Sequence, residues 1–335
     1  MAEHSRIEWT DHTFNPWVGC TKVSPACDHC YAESWAKRTG SPQLWQGERR
    51  RTTTAYWQQP LKWDRAAAAA GRRDRVFCAS LADVFDNQVP EDWRHDLWTL
   101  IASTRHLDWL LLTKRPQNIA KMLPVMDPDR PGYRPWNVRW PWPNVWLGTT
   151  VENQKEAGRR IPHLLAVPAR VRFLSCEPLL GPVDLEAAWH GENALDSECW
   201  GDCGWCDKGY PPLHNCQQGR QSDAAWEKSR SGLDWVIAGG ESGPGARPSH
   251  PDWFRSLRGQ CQAARVPFFF KQWGEFEPNE KVHPILGGPV PGSWSRVESA
   301  QFPDGALMNR VGKKAAGRLL DGRTWDEAPA PEAPR

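Results

Sequence analysis

Short apolar runs recur along the chain, and each of them ends in polar or charged side chains. Six runs rich in β-branched and aromatic residues lie at 75–81, 107–114, 144–151, 170–177, 233–241 and 265–272. An earlier run covers 14–19. Continuous apolar runs of this length are typical of strands that are buried on both faces of a parallel sheet.

Segments with helical patterning separate several of these runs, at 90–103, 117–123, 152–165 and 251–264. Strands that alternate with helices indicate a βα-repeated fold. We therefore predict an α/β protein whose core is a full or partial parallel βα barrel. The repeat predicts one domain over 1–314, followed by a partly disordered C-terminal tail over 315–335, where Pro and Ala are abundant.

Polar side chains follow the strands, and the carboxyl ends of barrel strands are where reactive groups gather. We therefore predict one shared site at this edge of the sheet. The residues that we expect to form it are Ser80, Asp83, Lys114, Arg115, Thr149, Glu152, Glu177, Glu241 and Lys271.

Three cysteines directly after the first run form the most specific chemical signal. Cys20, Cys27 and Cys30 have the spacing Cys-x6-Cys-x2-Cys. Three thiolates bind three corners of a [4Fe–4S] cluster and leave the fourth iron open, whereas an electron-transfer cluster normally takes four protein ligands. A zinc site completed by His12 or His29 is an alternative, since structural zinc takes four ligands. A third alternative is that these three cysteines bind no metal and are either free thiols or part of a disulfide.

A second group of cysteines interrupts the repeat, in a segment over 187–232 that we predict to be an insertion. Its candidate metal ligands are Cys199, Cys203, Cys206, His214 and Cys216. Thiols and a histidine at this spacing are typical of a small zinc site. A second iron–sulfur cluster would use the same ligands, and a segment without metal is the remaining alternative.

Composition bears on the partners of the protein and on its cellular compartment. The 42 basic and 40 acidic residues give a formal charge of +2, which provides no bulk electrostatic argument for nucleic acid. The charged N-terminus lacks the apolar segment of a secretory signal, and no apolar run has the length of a membrane span. Ten cysteines without an export signal favour metal binding in a reducing cytoplasm over disulfides.

Several blocks carry a family resemblance that covers nearly the whole chain apart from the insertion. They are SRIEWTDHTFNPWVGCTKVSPACDHCYAE, LLLTKRPQN, FLSCEPLLGPVDL, WVIAGGESGPGARP, PFFFKQWGE and GRLLDGRTWDE. These blocks resemble the phage Gp37/Gp68 protein family (DUF5131). That family is in turn similar to radical S-adenosylmethionine enzymes such as spore photoproduct lyase, whose usual first cysteine gap is three residues where this chain has six.

The resemblance implies an enzyme whose [4Fe–4S] cluster is held by Cys20, Cys27 and Cys30 and binds S-adenosylmethionine at its open iron. Reduction would release a 5′-deoxyadenosyl radical that abstracts hydrogen from substrate. The implied contacts are Ser80 and Asp83 with the methionine amine, Thr149, Glu152 or Glu177 with the ribose, Glu241 with the cofactor, and Lys114, Arg115 and Lys271 with an anionic substrate or the methionine carboxylate.

The resemblance also implies partners. An electron donor such as flavodoxin or ferredoxin would reduce the cluster, and analogy with the lyase suggests a nucleobase, a nucleotide or nucleic acid as substrate. The rival hypothesis is a non-catalytic, zinc-stabilised protein that binds nucleic acid or protein. That rival accounts for both groups of cysteines but leaves the polar strand ends unexplained.

Overall fold

The computed structural model describes residues 5, 7–124, 140–188, 193–195, 232–279 and 298–330. Its strands are β1 (His12–Phe14), β2 (Trp17–Val18), β3 (Arg50–Arg51), β4 (Asp74–Cys78), β5 (Leu107–Thr113), β6 (Val145–Thr150), β7 (Val171–Cys176), β8 (Trp235–Gly239), β9 (Phe268–Gln272), β10 (Phe276–Pro278), β11 (Ser299–Gln301) and β12 (Leu307–Arg310). Its helices are α1 (Tyr31–Arg38), α2 (Gln59–Ala69), α3 (Glu91–Ser103), α4 (Ile119–Met122), α5 (Gln154–Leu165), α6 (Pro251–Ala263) and α7 (Lys313–Ala316).

Seven of the strands form one parallel sheet in the order β1-β4-β5-β6-β7-β8-β9. Every neighbouring pair in it is parallel. The sheet curls into a half-barrel, with β1 and β9 as its two edges in the part of the chain that the structure describes. The predicted α/β fold with a parallel sheet is therefore confirmed, in the form of a half-barrel.

The first strand is the one that the apolar pattern placed wrongly. The sequence predicted a strand over 14–19, but β1 ends at Phe14 and the chain then leaves the sheet. Pro16 has no amide hydrogen to donate to a ladder, which explains why the strand stops there. The next two residues form β2, which pairs antiparallel with β3. This turn carries Cys20 away from the sheet and over its carboxyl edge.

Helices α3 to α6 match the predicted helical segments, whereas α1, α2 and α7 were not predicted. Asn153 caps α5 by accepting a hydrogen bond from the Glu156 backbone at 3.1 Å, and Pro251 occupies the first turn of α6. Both are common helix starts. Among the described residues, no helix combines the length and apolar character that a membrane crossing requires.

Two layers of apolar side chains lie on the two faces of the sheet, because strand side chains alternate between faces. The outer layer packs between the strands and the helices. The inner layer fills the hollow of the half-barrel with Trp9, Phe77, Leu110, Trp146, Val171, Phe173, Trp235, Ile237 and Phe269. Gly148 makes this filling possible, since a Cβ there would lie 2.4 Å from the Phe173 ring.

The segment that follows α7 packs against the end of the sheet. The Phe270 amide donates to the Trp325 carbonyl at 2.9 Å, and the Trp235 indole donates to the Glu327 carbonyl at 2.8 Å. Leu320 is fully buried. The described part of the predicted tail, to Ala330, therefore runs along β9. Most of the predicted insertion, at 189–192 and 196–231, lies outside the described residues.

We predict that Gly148→Ala lowers the free energy of unfolding by about 1–3 kcal/mol, because its methyl group would overlap the Phe173 ring in a filled interior. Urea denaturation of the purified variant measures the change. Gly259→Ala is the matched control: Gly259 lies within α6 with no atom in the way, so it should gain up to about 1 kcal/mol. Equal stability of Gly148→Ala and the unmodified protein would contradict this account of the interior.

Candidate functional site

A cavity of about 660 Å³ opens at the carboxyl ends of the parallel strands. Its wall includes all three N-terminal cysteines, Cys20, Cys27 and Cys30. Of the residues that the sequence predicted for a shared site, the wall contains Ser80, Asp83, Lys114, Arg115, Glu177, Glu241 and Lys271. The structure thus brings most of the predicted polar strand ends together with the cysteines.

The Cys20 side chain lies beside Arg115. Arg115 Nη1 lies 3.6 Å from the Cys20 sulfur, and Arg115 Nη2 donates a hydrogen bond to the Thr21 carbonyl at 2.9 Å. Burial is the main cause that raises the pKa of the Cys20 thiol to about 11, and the negative charge of Asp83 adds to it. The positive charge of Arg115 and its hydrogen bond to the sulfur lower this pKa, but by less. A metal that binds Cys20 must therefore displace a firmly held proton.

Asp83 is engaged by protein donors. Its carboxylate accepts hydrogen bonds from the Thr113 hydroxyl at 2.7 and 2.9 Å and from Arg115 Nη1 at 3.0 Å. The backbone amides of Phe85 and Lys114 donate to it at 2.9 and 3.2 Å. These bonds orient Arg115 towards Cys20, so the contribution of Asp83 to the site is to position that guanidinium.

We call residues 20–30 the cysteine loop. Its middle is held by Glu152, a fully buried side chain that does not line the cavity. One Glu152 oxygen accepts from the Ala26 amide at 3.2 Å, and the other accepts from Arg160 Nη1 at 2.7 Å. Ala26 directly precedes Cys27, so this buried pair fixes the backbone beside the second thiol.

The end of the cysteine loop is tied to the strand end of β8 through Glu241. Arg247 bonds both Glu241 oxygens, at 2.6 and 2.8 Å, and also reaches the Pro25 carbonyl at 2.9 Å and Asp28 at 3.1 Å. His29 Nδ1 lies 3.1 Å from Glu241. Arg247 was not predicted, because a single arginine in a glycine-rich loop gives no sequence signal of its partners.

Each of the two histidines proposed as a fourth zinc ligand bonds a carboxylate through one of its ring nitrogens. His12 Nε2 lies 3.1 Å from Asp74, and its buried ring stacks on Trp63 at 4.4 Å in the layer outside the sheet. His29 is bonded to Glu241. Cys20, Cys27 and Cys30 are free thiols. The disulfide alternative is therefore not what the structure contains.

The other described cysteines lie apart from this group. Cys78, Cys176 and Cys261 are fully buried in the outer layer. Burial raises the pKa of Cys261 to about 12 and also raises the pKa values of Cys78 and Cys176. The five predicted ligands of the insertion lie outside the described residues. They are Cys199, Cys203, Cys206, His214 and Cys216.

The inner end of the cavity, which we call its floor, is formed by Thr150, Ser175, Glu177, Lys271 and Gln272. Lys271 Nζ donates to both Glu177 oxygens, at 2.8 and 2.9 Å, and Gln272 Nε2 donates to one of them at 3.2 Å. The register of β8 and β9 shifts beside Gly239. A bulge re-aims side chains, which explains how two consecutive residues, Lys271 and Gln272, both reach Glu177.

Thr150 lines the cavity, whereas the predicted site residue Thr149 does not. The predicted residue Thr149 is fully buried away from the cavity, where its hydroxyl donates to the Thr113 carbonyl at 2.9 Å. Thr150, which was not predicted, lies on the floor. Counting in twos from Trp146, which faces the interior, identifies Thr150 as the inward side chain. This alternation of inward and outward side chains follows from the sequence alone once Trp146 is assigned to the interior.

We predict a specific loss of stability in acid from Glu241. Burial opposes its ionisation, but hydrogen bonds from Arg247 and His29 outweigh that effect and lower the pKa below its ordinary 4.5. A carboxyl with a lowered folded-state pKa stabilises the protein above its unfolded pKa, and this contribution is lost as the pH falls through the folded value.

The Glu241→Gln variant should therefore be less stable than the unmodified protein at pH 7 and should lose less stability below about pH 4.5. Urea denaturation at both pH values measures this, and hydrogen exchange of residues 24–30 reports whether the cysteine loop loosens at the same time. The exposed Glu186→Gln is the matched control. Parallel pH profiles for Glu241→Gln and the unmodified protein would rule out this role.

Comparison with known proteins places the chain in a family. A family model described as "Protein of unknown function (DUF5131)" matches residues 4–329. No curated protein and no solved structure matches the chain. Because the family match spans nearly the whole sequence, the chain belongs to the DUF5131 family.

Proposed function

We propose that this chain is a radical S-adenosylmethionine-type iron–sulfur enzyme. The observation that carries the proposal is the convergence of three thiols, with no fourth thiol among the described residues that line it, on one cavity at the carboxyl edge of a parallel half-barrel. Three cysteines leave one iron of a [4Fe–4S] cluster open to an outside ligand. The barrel edge is also where this class of fold assembles reactive groups.

The donor set fits the cluster better than it fits a single zinc ion. Thiolates on one zinc ion lie about 3.8 Å apart, since each Zn–S bond is about 2.3 Å. Among the described residues, the group of three ligand atoms within 4.8 Å of one another is His250, Asp252 and Asp304, and not the three thiols. Of the two histidines proposed as a fourth zinc ligand, His12 packs in the layer outside the sheet, and His29 is the one that lines the cavity.

When bound, the cluster and S-adenosylmethionine would supply a 5′-deoxyadenosyl radical for hydrogen abstraction from substrate. The chain itself would hold the cluster through Cys20, Cys27 and Cys30. Arg115 places a positive charge and an N–H donor beside the Cys20 sulfur, and hydrogen bonds to ligand sulfurs are among the features that set cluster potentials. A flavodoxin or ferredoxin is the electron donor that we propose.

The other predicted site residues fall into two groups, those that bond other protein groups and those that line the cavity. Asp83 and Glu152 are held by protein donors and support the cysteine loop, so we assign them positioning roles. Ser80, Glu177 and Lys114 line the cavity and are our candidates for contacting the cofactor or substrate. The cavity volume of about 660 Å³ is within the range of small-molecule sites.

We predict that the triple variant Cys20→Ala, Cys27→Ala and Cys30→Ala contains no iron after anaerobic reconstitution, because cluster assembly requires the three thiolates. The unmodified protein should be brown, with about four irons per chain. Iron analysis and the charge-transfer absorption near about 400 nm measure this. The matched control is Cys261→Ala, a buried thiol far along the chain in α6, which should keep its iron.

Iron that persists in the triple variant would refute the assignment of these ligands and direct attention to Cys199, Cys203 and Cys206. Colourless protein that contains zinc at the N-terminal thiols would instead support the rival, a non-catalytic protein that binds nucleic acid or protein.

We further predict that the reconstituted and reduced protein converts S-adenosylmethionine slowly into 5′-deoxyadenosine and methionine. Chromatography of the products measures the yield. Glu152→Gln should reduce this yield, because it weakens the buried bonds that fix the loop before Cys27. Glu156→Gln, next to the same Arg160 but without a bond to the loop, is the matched control. A four-iron protein that neither binds S-adenosylmethionine by calorimetry nor cleaves it would overturn the enzymatic proposal.

A further inference from the structure

The described wall of the cavity carries more positive than negative charge. Each of its carboxylates is already paired with a cation: Asp83 with Arg115, Glu177 with Lys271, and Glu241 with Arg247. The side chains of two further wall residues, Lys114 and Lys313, have no hydrogen bond or ion pair with any described residue. The charge that remains unpaired is therefore positive, and it favours an anionic group on the ligand.

Lys114 is the better placed of these two lysines. Lys313 is exposed, whereas Lys114 is half-buried at the end of β5. The Lys114 amide donates to Asp83 at 3.2 Å, which fixes the start of its side chain at the carboxyl edge of the sheet. A half-buried ammonium without an anion has lost part of its hydration and gained no bond in exchange. A phosphate or carboxylate on the ligand would provide that bond.

Tyr31 presents an open aromatic ring on the same wall. The residue is 59% exposed, so at least one face of its ring is uncovered. Its hydroxyl donates to the Ser80 carbonyl at 2.5 Å, and its backbone begins α1, so the ring is held at both ends. A fixed and uncovered aromatic ring is a surface on which a flat heterocycle stacks.

The ring of Tyr31 and the ammonium of Lys114 belong to neighbouring strand ends. Ser80, which holds the Tyr31 hydroxyl, lies two residues after the end of β4, and Lys114 directly follows β5. These two strands are adjacent in the sheet, and adjacent strands lie about 4.8 Å apart. The bond from the Lys114 amide to Asp83 keeps the chain after Ser80 beside Lys114. One ligand of moderate size therefore reaches both side chains.

We propose that the substrate is a nucleotide whose base stacks on Tyr31 and whose phosphate pairs with Lys114. The cavity of about 660 Å³ has the volume of a small-molecule site. Tyr31 directly follows Cys30, so the stacked base would lie beside the candidate cluster. This inference rests on the proposed function, because it assigns the substrate class of that enzyme. A free nucleotide and one unit of a single strand share this chemistry.

Calorimetry with three probes on the full-length protein tests this inference without any turnover. Uridine 5′-monophosphate carries the base and the phosphate, uridine lacks the phosphate, and ribose 5-phosphate lacks the base. We expect the monophosphate to bind about tenfold more tightly than either of the others, because each of them has lost one contact. The measurement is made with cluster-free protein and again with reconstituted protein plus S-adenosylmethionine.

A short oligouridylate distinguishes the two sources of the nucleotide. Tighter binding of this strand than of uridine 5′-monophosphate would identify the substrate as a unit of single-stranded nucleic acid, because further phosphates add contacts. Equal or weaker binding of the strand would identify it as a free nucleotide.

Lys114→Gln and Lys314→Gln form a matched pair of variants. Each removes one lysine charge, but Lys314 is exposed and does not line the cavity. Lys114→Gln should lower the affinity for uridine 5′-monophosphate about tenfold and leave the affinity for uridine unchanged. Lys314→Gln should change neither affinity. Lys114→Arg should retain most of the affinity for the monophosphate, because it keeps the charge.

Tyr31→Leu and Tyr31→Phe separate stacking from the hydrogen bond to Ser80. Tyr31→Leu removes the ring and should lower the affinity for uridine 5′-monophosphate about tenfold, whereas Tyr31→Phe keeps the ring and should stay within about threefold of the unmodified protein. Equal losses in both variants would assign Tyr31 a structural role through its hydroxyl and would contradict stacking.

Several other results would overturn the proposal. They are no binding of uridine 5′-monophosphate at millimolar concentration in either form of the protein, equal affinity for uridine, equal affinity for ribose 5-phosphate, or an unchanged affinity for the monophosphate in Lys114→Gln. A loss of affinity for S-adenosylmethionine alone in Lys114→Gln would assign this lysine to the methionine carboxylate instead. The nucleotide measurements do not depend on iron content or on 5′-deoxyadenosine formation, so failure here is distinguishable from failure of the enzymatic proposal.

Discussion

Three arginine–carboxylate contacts, two of them buried and the third with a half-buried arginine, hold the cysteine loop over the sheet edge, and the arrangement of the site depends on them. The pairs are Arg115 with Asp83, Arg160 with Glu152, and Arg247 with Glu241. Each carboxylate follows a different strand, and each pair also bonds the loop backbone or a loop side chain. Removing one member of a buried pair costs about 3–5 kcal/mol, because the other charge is left unpaired. These pairs therefore specify where the thiols lie.

The aromatic interior explains why the cavity lies at only one end of the half-barrel. Bulky rings from Trp146, Phe173 and Trp235 fill the layer nearer the amino ends of the strands, and Gly148 provides the space that the Phe173 ring occupies. One layer further along the strands, the inward side chains are Thr150 and Ser175. The change from large aromatic to small polar residues at successive inward positions creates the cavity and its polar floor.

The sequence was sufficient for most of the fold because local patterns determine it. Apolar runs gave six sheet strands, and the polar residues after them identified the edge that carries the site. The rest depended on contacts across the chain. Asp83 and Glu152 look like free carboxylates in the sequence, and only the folded chain pairs them with Arg115 and Arg160. Thr150, and not the predicted Thr149, faces the cavity, as the alternation of side chains along β6 requires.

The charge distribution separates two chemical environments within one cavity. Near Cys20, Arg115 is shared between Asp83 and a thiol, so its positive charge extends towards the place where a cluster would carry negative charge. At the floor, Lys271 is neutralised by Glu177, and the remaining polar atoms are neutral. The positive charge of Arg115 is therefore directed at the thiols, whereas the charges of Lys271 and Glu177 cancel on the floor.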